Sequence, residues 1–168
     1  EILKRRGKMS QDEVVALILP IIESLESVHS QGLIHRDISP ENIFITKTGD
    51  AKLIDFGAAR HVSTGHSRSL TVVIREGYSP EEQYRSRGDQ GPHTDVYALS
   101  AVLYKMLTGV TPPDSMERRN SIESKKKDPL QRISKYCKSV DANVETAIYN
   151  GMNVKIEDRT PTMIAFKN

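Results

Sequence analysis

Cysteine is nearly missing from this chain: among its 168 residues only Cys137 carries a thiol. A single thiol excludes an intramolecular disulfide framework and leaves a Cys-rich zinc site without ligands, which suits a reducing compartment. Long hydrophobic runs are missing too, since the longest apolar stretch, Val14 to Ile22, is short and interrupted by Pro20. A membrane-spanning helix needs about 20 apolar residues, and no signal-peptide pattern opens the sequence. These absences predict a cytoplasmic location for this stretch, whatever anchors a longer parent protein elsewhere. Charge of one sign is also scarce, because 24 Lys and Arg stand against 22 Asp and Glu for a net charge of +2. Bulk charge therefore names no partner. Lys125-Lys126-Lys127 and Arg118-Arg119 lack interleaved aromatic residues, so they read as a solvated face, not a nucleic-acid site. No internal repeat or low-complexity tract is present.

What is there suits one globular domain with a sizeable core, residues 1–168, at 37% hydrophobic and 27% charged residues. Ser10-Gln11-Asp12-Glu13 is a capping box, and Val14, Leu17, Ile18, Ile21, Ile22, Leu25 and Val28 follow at helical spacing until Gly32 stops the run. The spacing predicts a long buried helix over 11–30, bent at Pro20. Leu33-Ile34 and residues 42–46 are β-prone runs, and Thr48-Gly49-Asp50 is a turn leading into residues 51–54. Strands thus flank the polar segment His35 to Glu41. Phe56 to Ser79 shows no period and reads as a long loop, a length usually tied to function. A second helix is predicted over 94–108, with Val96, Leu99, Val102, Leu103, Met106 and Leu107 on one face and Gly109 ending it. After Pro112-Pro113 the chain reads as a polar loop, then as a weaker amphipathic helix near 141–150, and a last helix starts after Pro161.

The polar segment reads His35-Arg36-Asp37-Ile38-Ser39-Pro40-Glu41-Asn42, and the next hairpin strand ends in Asp55-Phe56-Gly57. This resembles the catalytic loop and magnesium motif of protein kinases, H-R-D-x-x-x-x-N and D-F-G. Phosphoryl transfer needs carboxylates that place a hydroxyl in line and hard oxygens that hold a cation against phosphate. The resemblance gives Asp37 the acceptor hydroxyl and gives Asn42 and Asp55 the Mg2+ ion. The implied catalytic set is Asp37, Asn42, Asp55, Arg36, Ser39 and Arg75, and the implied ATP-contacting set is Asn42, Asp55 and Phe44. Ser79-Pro80-Glu81 resembles the A-P-E motif that closes the activation segment. Asp95 stands where the family places a helix-opening Asp that holds the catalytic loop, and Arg159 matches the late Arg expected to pair with Glu81. These matches run nearly the whole chain and are similar to bacterial Ser/Thr protein kinases. The implied fold is predominantly α with a small β-hairpin sheet, a kinase-like carboxy-terminal lobe of α+β class.

The sequence departs from the family in two ways. Ser39 stands where Ser/Thr kinases place a Lys that contacts the transferring phosphate, and Arg75 is the candidate to replace that charge. No G-x-G-x-x-G loop or V-A-I-K-like strand occurs in residues 1–168. The expectation is a lobe that lacks its nucleotide-gripping partner and is nearly inactive alone. Arg36 before Asp37 implies control by phosphorylation of the activation segment, with Ser63, Thr64, Ser67, Ser69 and Thr71 as acceptors. The partners implied are a protein substrate with a Ser or Thr acceptor and the missing lobe of the same parent. The alternatives are a pseudokinase or docking lobe, and a small-molecule phosphotransferase.

Overall fold

The Ser10 box forms as expected: the Glu13 amide donates to Ser10 Oγ (3.4 Å) and the Ser10 amide donates to Glu13 Oε2 (3.0 Å). In the computed structural model, which describes residues 2–61, 74–85 and 88–168, that cap opens a helix over Gln11–Ser30. It is α2, following the short α1 at Ile2–Arg6, and it runs through Pro20 without interruption. Pro20 is exposed, so its missing N–H costs the helix one bond without leaving a buried carbonyl unpaired. Val14, Ile18, Ile21, Ile22 and Leu25 form the buried stripe of α2.

That stripe faces α3, Pro92–Thr108. The sequence suggested one apolar face for this helix, but Tyr97, Ala98, Ser100, Ala101 and Tyr104 are buried as well. α3 is the central helix of the core, enclosed on all sides. Two of its buried hydroxyls are satisfied within the helix, Ser100 Oγ donating to the Val96 carbonyl and Thr108 Oγ1 to the Tyr104 carbonyl, both at 2.7 Å. Gly109 ends it at φ +77, a value glycine adopts without penalty.

Residues 114–123 correct the reading of a polar loop. They form α4, Ser115–Glu123, capped by Asp114, whose Oδ1 accepts from the Met116 amide at 2.9 Å. Arg118 is not on a solvated face: it is buried and donates to Asp128, the Tyr97 hydroxyl and the Met152 carbonyl. Lys125, Lys126 and Lys127 are exposed as expected. α5, Ala142–Gly151, and α6, Met163–Lys167, close the core with Ile148 and Met163.

The strands also differ from expectation. β2, Ile43–Ile45, and β3, Ala51–Leu53, make the predicted hairpin, with Ile43 opposite Leu53 and Phe44 opposite Lys52. β1, Leu33–Ile34, pairs instead with β4, Arg60–His61, inside the stretch read as loop. Two separate two-stranded sheets therefore bracket the His35–Glu41 segment. The acceptor candidates Ser63, Thr64, Ser67, Ser69 and Thr71 lie outside the described residues. Among the described residues no helix is long and apolar enough to cross a membrane.

Candidate active site

The loop between β1 and β2 is shaped by one buried carboxylate on α3. Asp95 accepts from the His35 amide (2.8 Å), the Arg36 amide (2.9 Å) and His29 Nε2 (2.7 Å). These bonds hold Arg36 at φ +70, a left-handed conformation costly for a residue with a side chain. Gln83 Nε2 donates to the Arg36 carbonyl at 2.7 Å and completes the clamp. The chain turns sharply there and delivers Asp37.

Asp37 is held by three donors. Asn42 Nδ2 reaches its Oδ2 at 2.9 Å and its carbonyl at 2.7 Å, while Arg75 Nε reaches Oδ1 at 2.8 Å and Arg75 Nη2 reaches Oδ2 at 3.1 Å. The Arg75 guanidinium holds the Asp37 carboxyl below the usual carboxylate range, with help from Asn42 and against the effect of burial. The carboxylate is thus ionised at neutral pH. Its four lone-pair positions take three donors from the described residues, which leaves one open.

The hairpin brings Asn42 and Asp55 to the same end of its ladder. The β2–β3 ladder continues one step beyond its last pair, with the Ile54 amide donating to the Asn42 carbonyl at 2.9 Å. Asn42 and Asp55 therefore flank the same end of the sheet. Asp55 is exposed, sits at φ +63 and accepts from the Gly57 amide through Oδ1 at 3.0 Å. The Asn42 side-chain oxygen is engaged by no other described residue. An amide oxygen and a carboxylate are the hard donors that magnesium takes alongside phosphate and water, so the donor set fits that ion.

The remaining candidates take different places. Phe44 is 55% exposed and lies on the outer face of the hairpin, where Lys52 is its cross-strand neighbour and Ile54 is a second exposed apolar side chain. The Arg36 guanidinium donates to Gln90 Oε1 at 2.6 Å and to the Ala58 carbonyl at 3.5 Å, linking the loop to the turn after Asp55. Ser39 is fully buried, and its hydroxyl has no hydrogen-bond partner among the described residues. The His35 ring packs edge-on against Phe56 at 4.5 Å between centroids, and burial pushes its imidazole down toward the neutral form. Its Nδ1 accepts from the Asp37 amide at 3.3 Å, a role only the unprotonated nitrogen can fill.

One expected pair is corrected. Arg159 meets Glu82, not Glu81: Nη1 donates to Glu82 Oε1 at 2.6 Å and Nη2 to Oε2 at 3.3 Å. Glu81 pairs with Arg119 on α4 instead. The short 3-10 helix over Glu81–Tyr84 turns neighbouring carboxylates to different sides, which the S-P-E spelling does not reveal. Gln83 and Gln90, which brace Arg36, went unnoticed in the sequence, where an isolated glutamine carries no signal.

The sequence profile of the protein kinase domain matches residues 1–163. Serine/threonine-protein kinase PknL of Mycobacterium tuberculosis is 42% identical over 113 residues, covering 67% of this chain and 28% of that protein. Serine/threonine-protein kinase PknH of the same species is 31% identical over 159 residues, covering 94% of this chain and 25% of that protein. Sperm motility kinase 2B of Mus musculus is 36% identical over 113 residues, 67% of this chain and 23% of that protein. The chain spans about a quarter of the length of these curated relatives.

Proposed function

The chain belongs to the protein kinase domain family, and on that premise we propose that it carries the acceptor and metal half of a site transferring the γ-phosphoryl group of ATP to a Ser or Thr hydroxyl of a protein. The observation that carries this reading is Asp37, an ionised carboxylate held by Arg75 and Asn42 with one lone-pair position left. Asp37 accepts a hydrogen bond from the substrate hydroxyl and sets its oxygen in line with the γ-phosphorus. As the new P–O bond forms, the bond from the γ-phosphorus to the bridging oxygen breaks, ADP departs, and the hydroxyl proton passes to the carboxylate. Because Arg75 keeps that carboxylate weakly basic, its contribution is orientation more than proton affinity.

Asn42 and Asp55 would hold magnesium, which when bound neutralises charge on the phosphates. Phe44 and Ile54 supply an apolar face for the adenine. Arg36, bound to Gln90 and the Ala58 carbonyl, couples the loop to the Asp55 turn. In the full-length protein these residues work with a lobe that covers the phosphates. Residues 1–168 alone contain no phosphate-covering glycine loop, and we expect negligible turnover from them.

The test is protein phosphorylation by the full-length enzyme with Asp37→Asn as the variant. Removing a positioned base costs about 10²–10⁴-fold in kcat, with KM for ATP little changed. Wild-type turnover in that variant overturns the proposal.

A further inference from the structure

Ser39 stands without a positive charge, and the nearest cation bound to the catalytic carboxylate comes from a segment 38 residues further along the chain. Arg75 is seated by its own backbone before its side chain does anything. Its amide donates to Ser79 Oγ at 2.9 Å, and its carbonyl accepts from the Tyr78 and Ser79 amides at 2.9 and 2.8 Å. The turn from Arg75 to Ser79 is in turn anchored on the start of α4, because Ser115 Oγ donates to the Ser79 carbonyl at 2.8 Å. Gly77 permits the fit: it sits at φ +81, and a Cβ there would meet the Pro112 carbonyl oxygen and Thr111 Cγ2 at 2.7 Å.

The geometry points to Arg75 as a positioning residue that aims Asp37 only while the Arg75–Ser79 turn is formed, supplying from outside the catalytic loop the cation that Ser39 does not. This rests on the reading of Asp37 as the catalytic carboxylate. A planar guanidinium gripping both oxygens fixes the carboxylate plane as well as its position, which a flexible ammonium on the same loop would not do. The Asp37 side chain is 7% exposed and that of Arg75 is 44% exposed, so the pair lies at the boundary between the loop and solvent with the cation on the outer side. The remaining N–H groups of Arg75 are engaged by no described residue, and they keep positive charge at the acceptor end of the site. Ser39, buried with no hydrogen-bond partner for its hydroxyl among the described residues, contributes no charge. The catalytic carboxylate thereby depends on the conformation of a distant turn, and any partner or modification that shifts the turn changes turnover without touching Asp37.

The experiment uses full-length protein and four variants: Arg75→Ala, Arg75→Lys, Asp37→Asn, and Asp37→Asn with Arg75→Ala. Misaiming a reacting group by about 1 Å costs on the order of 10²-fold. Arg75→Ala is therefore expected to lower kcat by about 10- to 100-fold with KM for ATP within about twofold. Arg75→Lys keeps the charge and loses the fork, so its kcat falls to an intermediate value with KM for ATP again little changed. In the Asp37→Asn background, Arg75→Ala adds less than about twofold, since residues acting as one unit are not additive. If Asp37→Asn is inactive while Arg75→Ala leaves kcat as in wild type, the inference fails and the phosphoryl-transfer reading stands. An additive loss in the double variant also overturns it, because that marks a merely structural role. Wild-type turnover in Asp37→Asn overturns the reading beneath both. Should Arg75→Ala fail to fold, the kcat of Arg75→Lys decides, with a wild-type value counting against the proposal.

Discussion

The contrast between Glu81 and Glu82 shows how much one residue of register is worth. Arg159 and Glu82 have side chains 0% and 3% exposed, and Arg159 is further held by the Val154 carbonyl at 3.0 Å and lies 5.0 Å from the centre of the Tyr97 ring. Removing the acid leaves a cation buried without its counter-charge, which costs about 3–5 kcal/mol. Glu82→Ala should therefore lower the unfolding free energy by that amount in a urea titration. Glu81→Ala breaks a pair whose Arg119 is 30% exposed and keeps a second partner, Glu123, so the expected loss is under about 1 kcal/mol. Equal losses for the two variants would refute the assignment of Glu82 as the buried partner. The sequence placed an acid here and an arginine at 159, but two adjacent glutamates offered no local reason to prefer the second.

At the level of elements, legibility followed length. α2 and α3 show many repeats of the 3.6-residue period and visible stops, and they were found within two residues of their ends. β1 and β4 are two residues each, too short to show any period, and their pairing is a matter of which chain lies alongside. α4 escaped because its buried positions are Ser115 and Arg118, polar residues that tertiary partners satisfy, so no apolar stripe marks it. The Asp114 cap after Pro113 was the one local signal. The Arg75–Ser79 turn is the element on which activity should depend most steeply. Gly77→Ala forces a left-handed residue with a side chain against the Pro112 carbonyl. It should cost about 1–3 kcal/mol in stability and reduce kcat, whereas Glu76→Ala, at an exposed position, should do neither. A Gly77→Ala enzyme with unchanged thermal midpoint and turnover would show that the turn tolerates another conformation.

For the molecule as a whole, the enclosed α3 is what joins core to chemistry. It carries Asp95 at one end, and through Asp95 the packing of the helical core reaches the backbone of His35 and Arg36. Asp95→Ala would leave those two buried amides unpaired at about 1–3 kcal/mol each, so unfolding should fall to lower denaturant and turnover should drop with it. At the same scale, isolated residues 1–168 should bind ATP weakly and show no turnover that depends on Asp37; a measurable rate abolished by Asp37→Asn would contradict this. Local order settled a good deal on its own: helical period and capping placed the core helices, and the spacing of His35-Arg36-Asp37, Asn42 and Asp55-Phe56-Gly57 carried the resemblance to protein kinases. Only the tertiary structure decided that Arg75 grips Asp37, that Glu82 takes Arg159 and that Asp95 holds the loop. Hydrogen bonds and ion pairs act over about 3 Å, between groups here separated by 38, 77 and about 60 residues, and no pattern along the chain encodes a distance across it.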